Sequence, residues 1–572
     1  MILTLYLTVW LASASIVSAS QPVPLVHTPS GTIQGIVVPV QGRDIVQFRN
    51  IPYAKPPVGE LRFEKPVPVE PWANTLDGTK FGPSCIQNDK FLPEMWEPLD
   101  NKDISEDCLQ LNVYVPDSVS ETDKKPVMVW IHGGGFTGGS AALYDSSYFA
   151  LKDVLVVTIQ YRVGLFGFLS TGDATLPGNY GLWDIIEALR WVNTNIAGFG
   201  GDRDTVTVFG ESAGGFCATF LSVIPSTKGL FKRVIVQSGS AAGNMFISKD
   251  PFRVAERVGR HNGCITDTET AIDKEALVNC LKGKSAQDLL NAQLDPTTLF
   301  FGGFSMEVHL WPVVDGDLLV RRPIDILNDP RSKEFQYFQS IDLIAGTTDN
   351  EASLLPFIAY HLQGPMNFNL SDGIPTSVLC DLFAPAIAKD IYEDNTIVAG
   401  ILCQRYKKDN LADQARSLSA LYGDAQFVGP AVSLLDFHSK GRAHSNTYQY
   451  LFTQEIDFYF LAPSFPWSEG AGHGVDCLYM FGPAGFSQYE SILTPEGTSL
   501  RDAIVTYWTN FAKTGNPNGP GLIPWKTYGP GGRHYMDLNY EPVLSQDIYQ
   551  QRIQFLLEEI PNKLRQSSKT EL

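Results

Sequence analysis

Short apolar runs rich in β-branched residues recur along the chain at 127–131 (VMVWI), 154–159 (VLVVTI), 206–209 (VTVF), 233–237 (RVIVQ), 341–345 (IDLIA) and 448–452 (YQYLF). Runs this short, apolar without alternation and bounded by turn residues, predict strands buried on both faces. Stretches of helical period lie between them. In 180–196 (YGLWDIIEALRWVNTNI), Leu182, Ile185, Ile186, Leu189 and Val192 fall on one face. Near the start, GTIQGIVVPVQGRDIVQFRN (31–50) alternates apolar and polar residues around a Gly-containing turn, which predicts hairpin strands. Strands alternating with helices make an α/β architecture, a large and mainly parallel sheet flanked by helices. Two helix-rich insertions, about 250–340 and 355–440, are expected to cap it. There are no repeats and no low-complexity linkers, so residues 21–562 read as one domain, followed by a polar tail at 563–572.

The first twenty residues carry no charge and end an apolar run in small residues, which predicts a secretory signal peptide cleaved near Ala19 or Ser20. No later segment is apolar for the roughly 18 residues a membrane span needs, so no stable membrane anchor is expected. The 572 residues are 44% apolar and 18% charged, which suits a large buried core. A net charge of −19 argues against nucleic acid and anionic membranes as partners. Eight cysteines behind a leader point to an oxidising compartment and some disulfides. None is spaced for zinc, so neither a metal nor a cofactor is expected. Asn369-Leu370-Ser371 is a glycosylation sequon.

The chemistry centres on VTVFGESAGG (206–215), a strand running into G-x-S-x-G and then into a helix. A serine at such a turn adopts a strained backbone, with Gly210 and Gly214 giving it room. This makes Ser212 the candidate nucleophile. A second element, WIHGGGF (130–136), follows directly on a core strand. Consecutive glycines leave main-chain N–H groups unobstructed. With the amide of Ala213, those of Gly134 and Gly135 are expected to form an oxyanion hole. A phosphate cradle would want a Lys after the glycines, and none follows. The serine needs a base, and the base an orienting acid. Of the histidines well beyond the serine (361, 438, 444, 473 and 534), only His473 lies in a run of small residues, Gly470 to Gly474. The others stand in polar stretches that predict solvated rings. For the acid, the loop after 341–345 offers Asp349 and Glu351; Glu351 is preferred, with Asp349 open on residue chemistry alone.

These motifs resemble those of type-B carboxylesterases, the α/β-hydrolase family that includes cholinesterases, liver carboxylesterases and bile-salt-activated lipases. The resemblance runs from FRNIPYAKPPVGELRF (48–63) through SEDCLQLNVYV (105–115), HGGGF (132–136), FGGDRDTVTVFGESAG (199–214) and PVVDG (312–316) to HGVD (473–476). It implies an α/β-hydrolase fold and a carboxylic ester hydrolase working through an acyl-enzyme on small to medium neutral esters. It also implies Glu351 rather than Asp349 as the acid, and disulfides Cys85–Cys108 and Cys264–Cys280. The sequence departs from the family pattern at Gln110 and Ala352. Cys217, Cys380, Cys403 and Cys477 have no assigned partner.

Substrate residues follow from the resemblance alone. Trp96 and Tyr144 match aromatics of the cholinesterase cation subsite, with Glu211 beside the nucleophile assisting, and cation–π attraction there is worth about 0.5–2 kcal/mol. Against a choline ester stand Thr137, Leu354 and Leu355 at positions that are aromatic in acetylcholinesterases. Met306 and Val308 stand where acetyl-selective enzymes carry Phe, which leaves room for larger acyl groups. A cholinesterase-like hydrolase is therefore the alternative reading, and a non-catalytic adhesion member of the family a third. The terminal Lys569-Thr570-Glu571-Leu572 resembles a K-D-E-L retrieval signal, so the expected destinations are secretion or the lumen of the endoplasmic reticulum.

Overall fold

The structure, a computed structural model, describes residues 23–88, 103–116, 120, 122–243, 246–266, 268, 270–295, 309–360, 362–392, 396–440, 445–456, 465–481 and 494–570. The expected leader, Trp96, Met306, Val308, His361, His444 and the last two residues of the C-terminal tail lie outside them.

Eleven strands build the central sheet: β1 (Ile36–Val40), β2 (Arg43–Pro52), β3 (Gln110–Pro116), β4 (Lys125–Ile131), β5 (Leu155–Ile159), β6 (Gly201–Glu211), β7 (Arg233–Gln237), β8 (Asp342–Thr348), β9 (Thr447–Phe452), β10 (His534–Leu538) and β11 (Val543–Gln546). Their order across the sheet is β11-β10-β9-β8-β7-β6-β4-β5-β3-β2-β1. Neighbours from β5 through β4 to β10 are parallel, and the strands beyond them on both edges are antiparallel. The apolar runs are continuous because both faces are covered. On β4, Val127, Val129 and Ile131 enter one core while Met128 and Trp130 enter the other.

The helix of the 180–196 stretch, α1 (Tyr180–Asn195), buries Leu182, Ile185, Ile186, Leu189 and Val192 as its period predicts. It also buries Asp184, which accepts three bonds from Arg162: from the backbone N at 3.0 Å, from Nε at 2.7 Å and from a terminal nitrogen at 2.7 Å. Both side chains are buried. Each charge is tolerated there because the other compensates its lost hydration.

The insertion beyond β8 folds on a third core of its own, in which Leu355, Leu379, Phe383, Leu402 and Leu418 pack with Trp467, Phe555 and Ile560. Cys85–Cys108 and Cys264–Cys280 are bonded, and Cys380 pairs with Cys403, which spacing alone left open. Cys217 and Cys477 are free and buried. Asn369 is exposed. Among the described residues no helix is long and apolar enough to cross a membrane.

One reading needs correcting. The polar context of His438 predicts a solvated ring, but the ring is buried, with Nδ1 bonded to Thr447 Oγ1 and Nε2 to the Ile341 carbonyl, both at 2.7 Å. The helix Gly429–Ser439 packs across β8 and β9, which brings its last turn inside. Burial pushes this imidazole down to about 4, so it stays neutral and structural.

Removing one partner of the Arg162–Asp184 pair leaves a buried charge uncompensated. Asp184→Ala should therefore destabilise the protein by about 3–5 kcal/mol, read from the urea midpoint. A loss below about 1 kcal/mol, the value of an exposed pair, would show that the pair does not anchor α1.

Candidate active site

β6 ends at Glu211 and the helix α2 (Ala213–Ser222) begins two residues later, leaving Ser212 to make the whole turn at φ 53° and ψ −123°. A side-chain-bearing residue held at such a φ costs of order 1–3 kcal/mol, and the surroundings must impose it. They do so by hydrogen bonds and by crowding. The Ser212 amide donates to the Gln237 carbonyl on neighbouring β7, and its carbonyl accepts from Phe216, both at 2.9 Å. A Cβ at position 214 would run into the carbonyl of Ile131 at the end of β4, so only glycine lets α2 start this close to the sheet.

The glycine loop after β4 lies against this turn. An added Cβ at Gly133 would come within 3.2 Å of the Ser212 Cβ. Gly134 takes φ 119° and turns the chain back on itself, its carbonyl accepting from the amides of Thr137 and Gly138, each at 3.0 Å. Among the described residues, the amides of Gly134, Gly135 and Ala213 have no intramolecular acceptor. Phe136, also at positive φ, is anchored by packing against Phe168, Phe216 and Phe246.

His473 and Glu351 come together in the interior, with Nδ1 2.5 Å from Oε2. The other carboxylate oxygen accepts from Ser238 Oγ at 2.6 Å and from the Thr348 amide at 2.8 Å, so Glu351 is held on both sides. His473 Nε2 is buried without a hydrogen-bond partner. An imidazole whose Nδ1–H is committed to a carboxylate exposes a basic Nε2, as proton abstraction requires. Asp349 sits two residues away and bonds instead to the amide of Ala471, at 2.6 Å.

Two further carboxylates surround the pair. Glu211 Oε1 lies 3.1 Å from His473 Nε2. Asp476, one turn beyond His473, accepts at Oδ2 from Gln237 Nε2 at 2.8 Å and from the Tyr450 hydroxyl at 2.9 Å, and at Oδ1 from the Cys477 amide at 3.0 Å. Burial pushes Glu211 up, and the negative charges of Asp476 and Glu351 add to it. Burial works against an imidazolium at 473, but Glu211 and Glu351 outweigh it and make the site more basic than an ordinary imidazole. Ser238 and Asp476 escaped the sequence reading. Asp476 lies within the HGVD motif, whereas nothing local marks Ser238. Tyr144 packs on Trp130 and Phe481, with ring centroids 5.0 and 5.1 Å away. Leu355 is buried and Leu354 half-buried. His132 stacks on Tyr161, and burial lowers it to about 4.

The model of the carboxylesterase family matches residues 22–556. The chain is 34% identical to a human cocaine esterase over 97% of its own length and 94% of the relative's. It is 35% identical to a pig liver carboxylesterase over 92% and 91% of the two lengths. A mouse neuroligin-3 is also similar, 32% identical over 92% of this chain and 67% of the relative.

Any reaction that uses His473 as its base needs the ring neutral, so the flanking carboxylates place the acid limb of the pH profile above that of an ordinary imidazole. Glu211→Gln removes one of those charges and should move the limb of kcat/KM to lower pH by about one pH unit. A limb that stays in place would separate Glu211 from the titration of this site.

Proposed function

The chain belongs to the carboxylesterase family and is a serine carboxylic ester hydrolase of α/β-hydrolase fold, and on that premise we propose that Ser212, His473 and Glu351 carry out the reaction on neutral esters. The observation that carries this reading is the buried His473–Glu351 pair, whose Nε2 lies 3.1 Å from the carboxylate of Glu211, the residue next to the strained Ser212 turn. His473 Nε2 takes the Ser212 proton as the hydroxyl oxygen attacks the ester carbonyl. The amides of Gly134, Gly135 and Ala213 receive the negative charge that develops on the carbonyl oxygen, a contribution of roughly 3–4 kcal/mol for a critical donor. Collapse of the tetrahedral intermediate expels the alcohol, which receives its proton from His473. Water then attacks the acyl-enzyme by the same route and regenerates the free serine. Glu351 keeps Nδ1 protonated and stabilises the imidazolium formed on the way; its own second oxygen is already saturated by Ser238 and Thr348.

The preference proposed for small to medium neutral esters is supported by the aliphatic Leu354 and Leu355 after the acid, which offer no aromatic face to a choline cation. It rests also on similarity to proteins named cocaine esterase and liver carboxylesterase.

The triad is tested by labelling with a fluorophosphonate probe. The parent should label, and Ser212→Ala should lose the label while keeping its thermal midpoint. His473→Ala should lower kcat by about 10⁴-fold or more; retained turnover would move the base elsewhere. Substrate class is tested by comparing an acylcholine with uncharged esters of increasing acyl length. Higher kcat/KM on the uncharged series is expected, and a preference for the acylcholine would turn the assignment toward a cholinesterase.

A further inference from the structure

We propose that Asp349 is a positioning residue for His473: its carboxylate and that of Glu455 clip the loop that carries the histidine, holding the ring in register with Ser212. The proposal rests on the triad reading above, in which His473 is the base.

The loop 468–474 has the sequence SEGAGHG, with glycines on both sides of His473 and a third at 470. Gly470 and Gly474 both take positive φ, 93° and 79°. Such a segment has little stiffness of its own. What fixes it is a row of bonds to the segment 349–353. The Ala471 amide donates to Asp349 Oδ1 at 2.6 Å, and the Ala471 carbonyl accepts from the Asn350 amide at 3.0 Å. Asn350 Nδ2 reaches Ser468 Oγ at 3.2 Å, and the His473 amide donates to Ser353 Oγ at 2.8 Å. One residue before the Asp349 bond, the Gly470 amide donates to Glu455 Oε1 at 2.5 Å. Two consecutive amides, two and three residues ahead of the histidine, are therefore each held by a separate carboxylate. Bonds to ionised acceptors are about twice as strong as neutral ones, and here they act where the backbone is least able to hold itself.

The surroundings make the Asp349 half of the clip sensitive to pH. A cavity of about 240 Å³ adjoins it, bordered also by Asn350, Trp467, Ser468, Arg416 and Arg552, so a loosened loop has space to move into. Glu455 and Asp537 face Asp349 with like charge, and Tyr549 lies nearby. The cations of the cavity are engaged elsewhere: Arg416 with Asp413 and Glu469, and Arg552 with Asp424. Burial, with those acidic neighbours, pushes Asp349 up to about 7. The charged form that grips Ala471 is thus present above about pH 7 and is lost as the pH falls through it.

The jobs of the two acids in the loop are then distinct. Glu351 orients the ring through Nδ1, and Asp349 orients the backbone that bears the ring.

The test compares Asp349→Ala and Asp349→Asn with the parent, taking kcat and KM on one uncharged ester between pH 6 and 9 and a thermal midpoint for each protein. His473→Ala serves as the control for the triad. At pH 8.5, Asp349→Ala should lose about 10- to 100-fold in kcat, the scale of a misplaced reacting group, with KM within about twofold. Asp349→Asn keeps an acceptor for the Ala471 amide, so it should recover most of that loss at low pH. Its profile should rise less steeply than the parent's across pH 6–8, because one titrating group has gone. Asp349→Ala with parental kcat, or an Asp349→Asn profile that superimposes on the parent's, would overturn the clip. If Asp349→Ala does not fold, the Asp349→Asn profile decides alone. A His473→Ala enzyme that still turns over would instead overturn the triad reading, whatever the Asp349 variants do.

Discussion

The structure around the site depends on how closely one helix approaches the end of one strand. The first turn of α2 sits against the Ile131 carbonyl, at a distance that excludes a side chain from position 214. Because the helix starts there, the chain between β6 and α2 has a single residue in which to reverse, and that residue is Ser212. The same contact brings the glycine loop of β4 alongside the turn, where a Cβ on Gly133 would come within 3.2 Å of the Ser212 Cβ. A helix set further out would relax the turn and part it from the glycine loop. Strain at Ser212 and the close approach of the glycine loop are two results of one packing constraint.

Electrostatics then acts within that frame. Three buried carboxylates, Glu211, Glu351 and Asp476, stand around one imidazole. Each is managed differently. Glu351 is saturated by donors on one oxygen and by the ring on the other. Asp476 is tied to Gln237 and Tyr450, on β7 and β9, and so links the histidine segment to the sheet. Glu211 faces the histidine, its Oε1 3.1 Å from Nε2. The basicity of the site is therefore set by the whole cluster rather than by the one carboxylate that touches Nδ1.

Much of this was legible in the chain because the information was local. The runs at 127–131 and 154–159 became β4 and β5 because strands covered on both faces carry their burial in their composition. The turn at Ser212 and the glycine loop announce themselves because their backbone conformations admit few residue types. Other features depend on contacts between distant segments. β6 begins at Gly201, well before its apolar run, because Gly201 already pairs with Lys125 of β4, and after an irregularity through the polar residues 202–205 the ladder resumes at Val206. His438 looked solvated because its neighbours in sequence are polar, whereas its neighbours in space are β8 and β9. Ser238, which steadies Glu351 across 113 residues, carries no local mark. The pairing of Cys380 with Cys403 was one of several that spacing allowed.

Register in the sheet has a consequence for how such a molecule could change. Gly210 stands opposite Ile131, Glu211 opposite Gln237, and Gln237 opposite Gly346. The segments bearing the glycine loop, the serine, Ser238 and the acid therefore leave four adjacent strands at nearly one level. Chain added beyond those exits would extend away from the strand ends without shifting them, since the ladder below is already closed. The space around a bound molecule could thus be rebuilt repeatedly, by lengthening or exchanging the excursions between strands, while the reacting groups kept their spacing. Diversity of specificity and constancy of chemistry are housed in physically separate parts of the same chain.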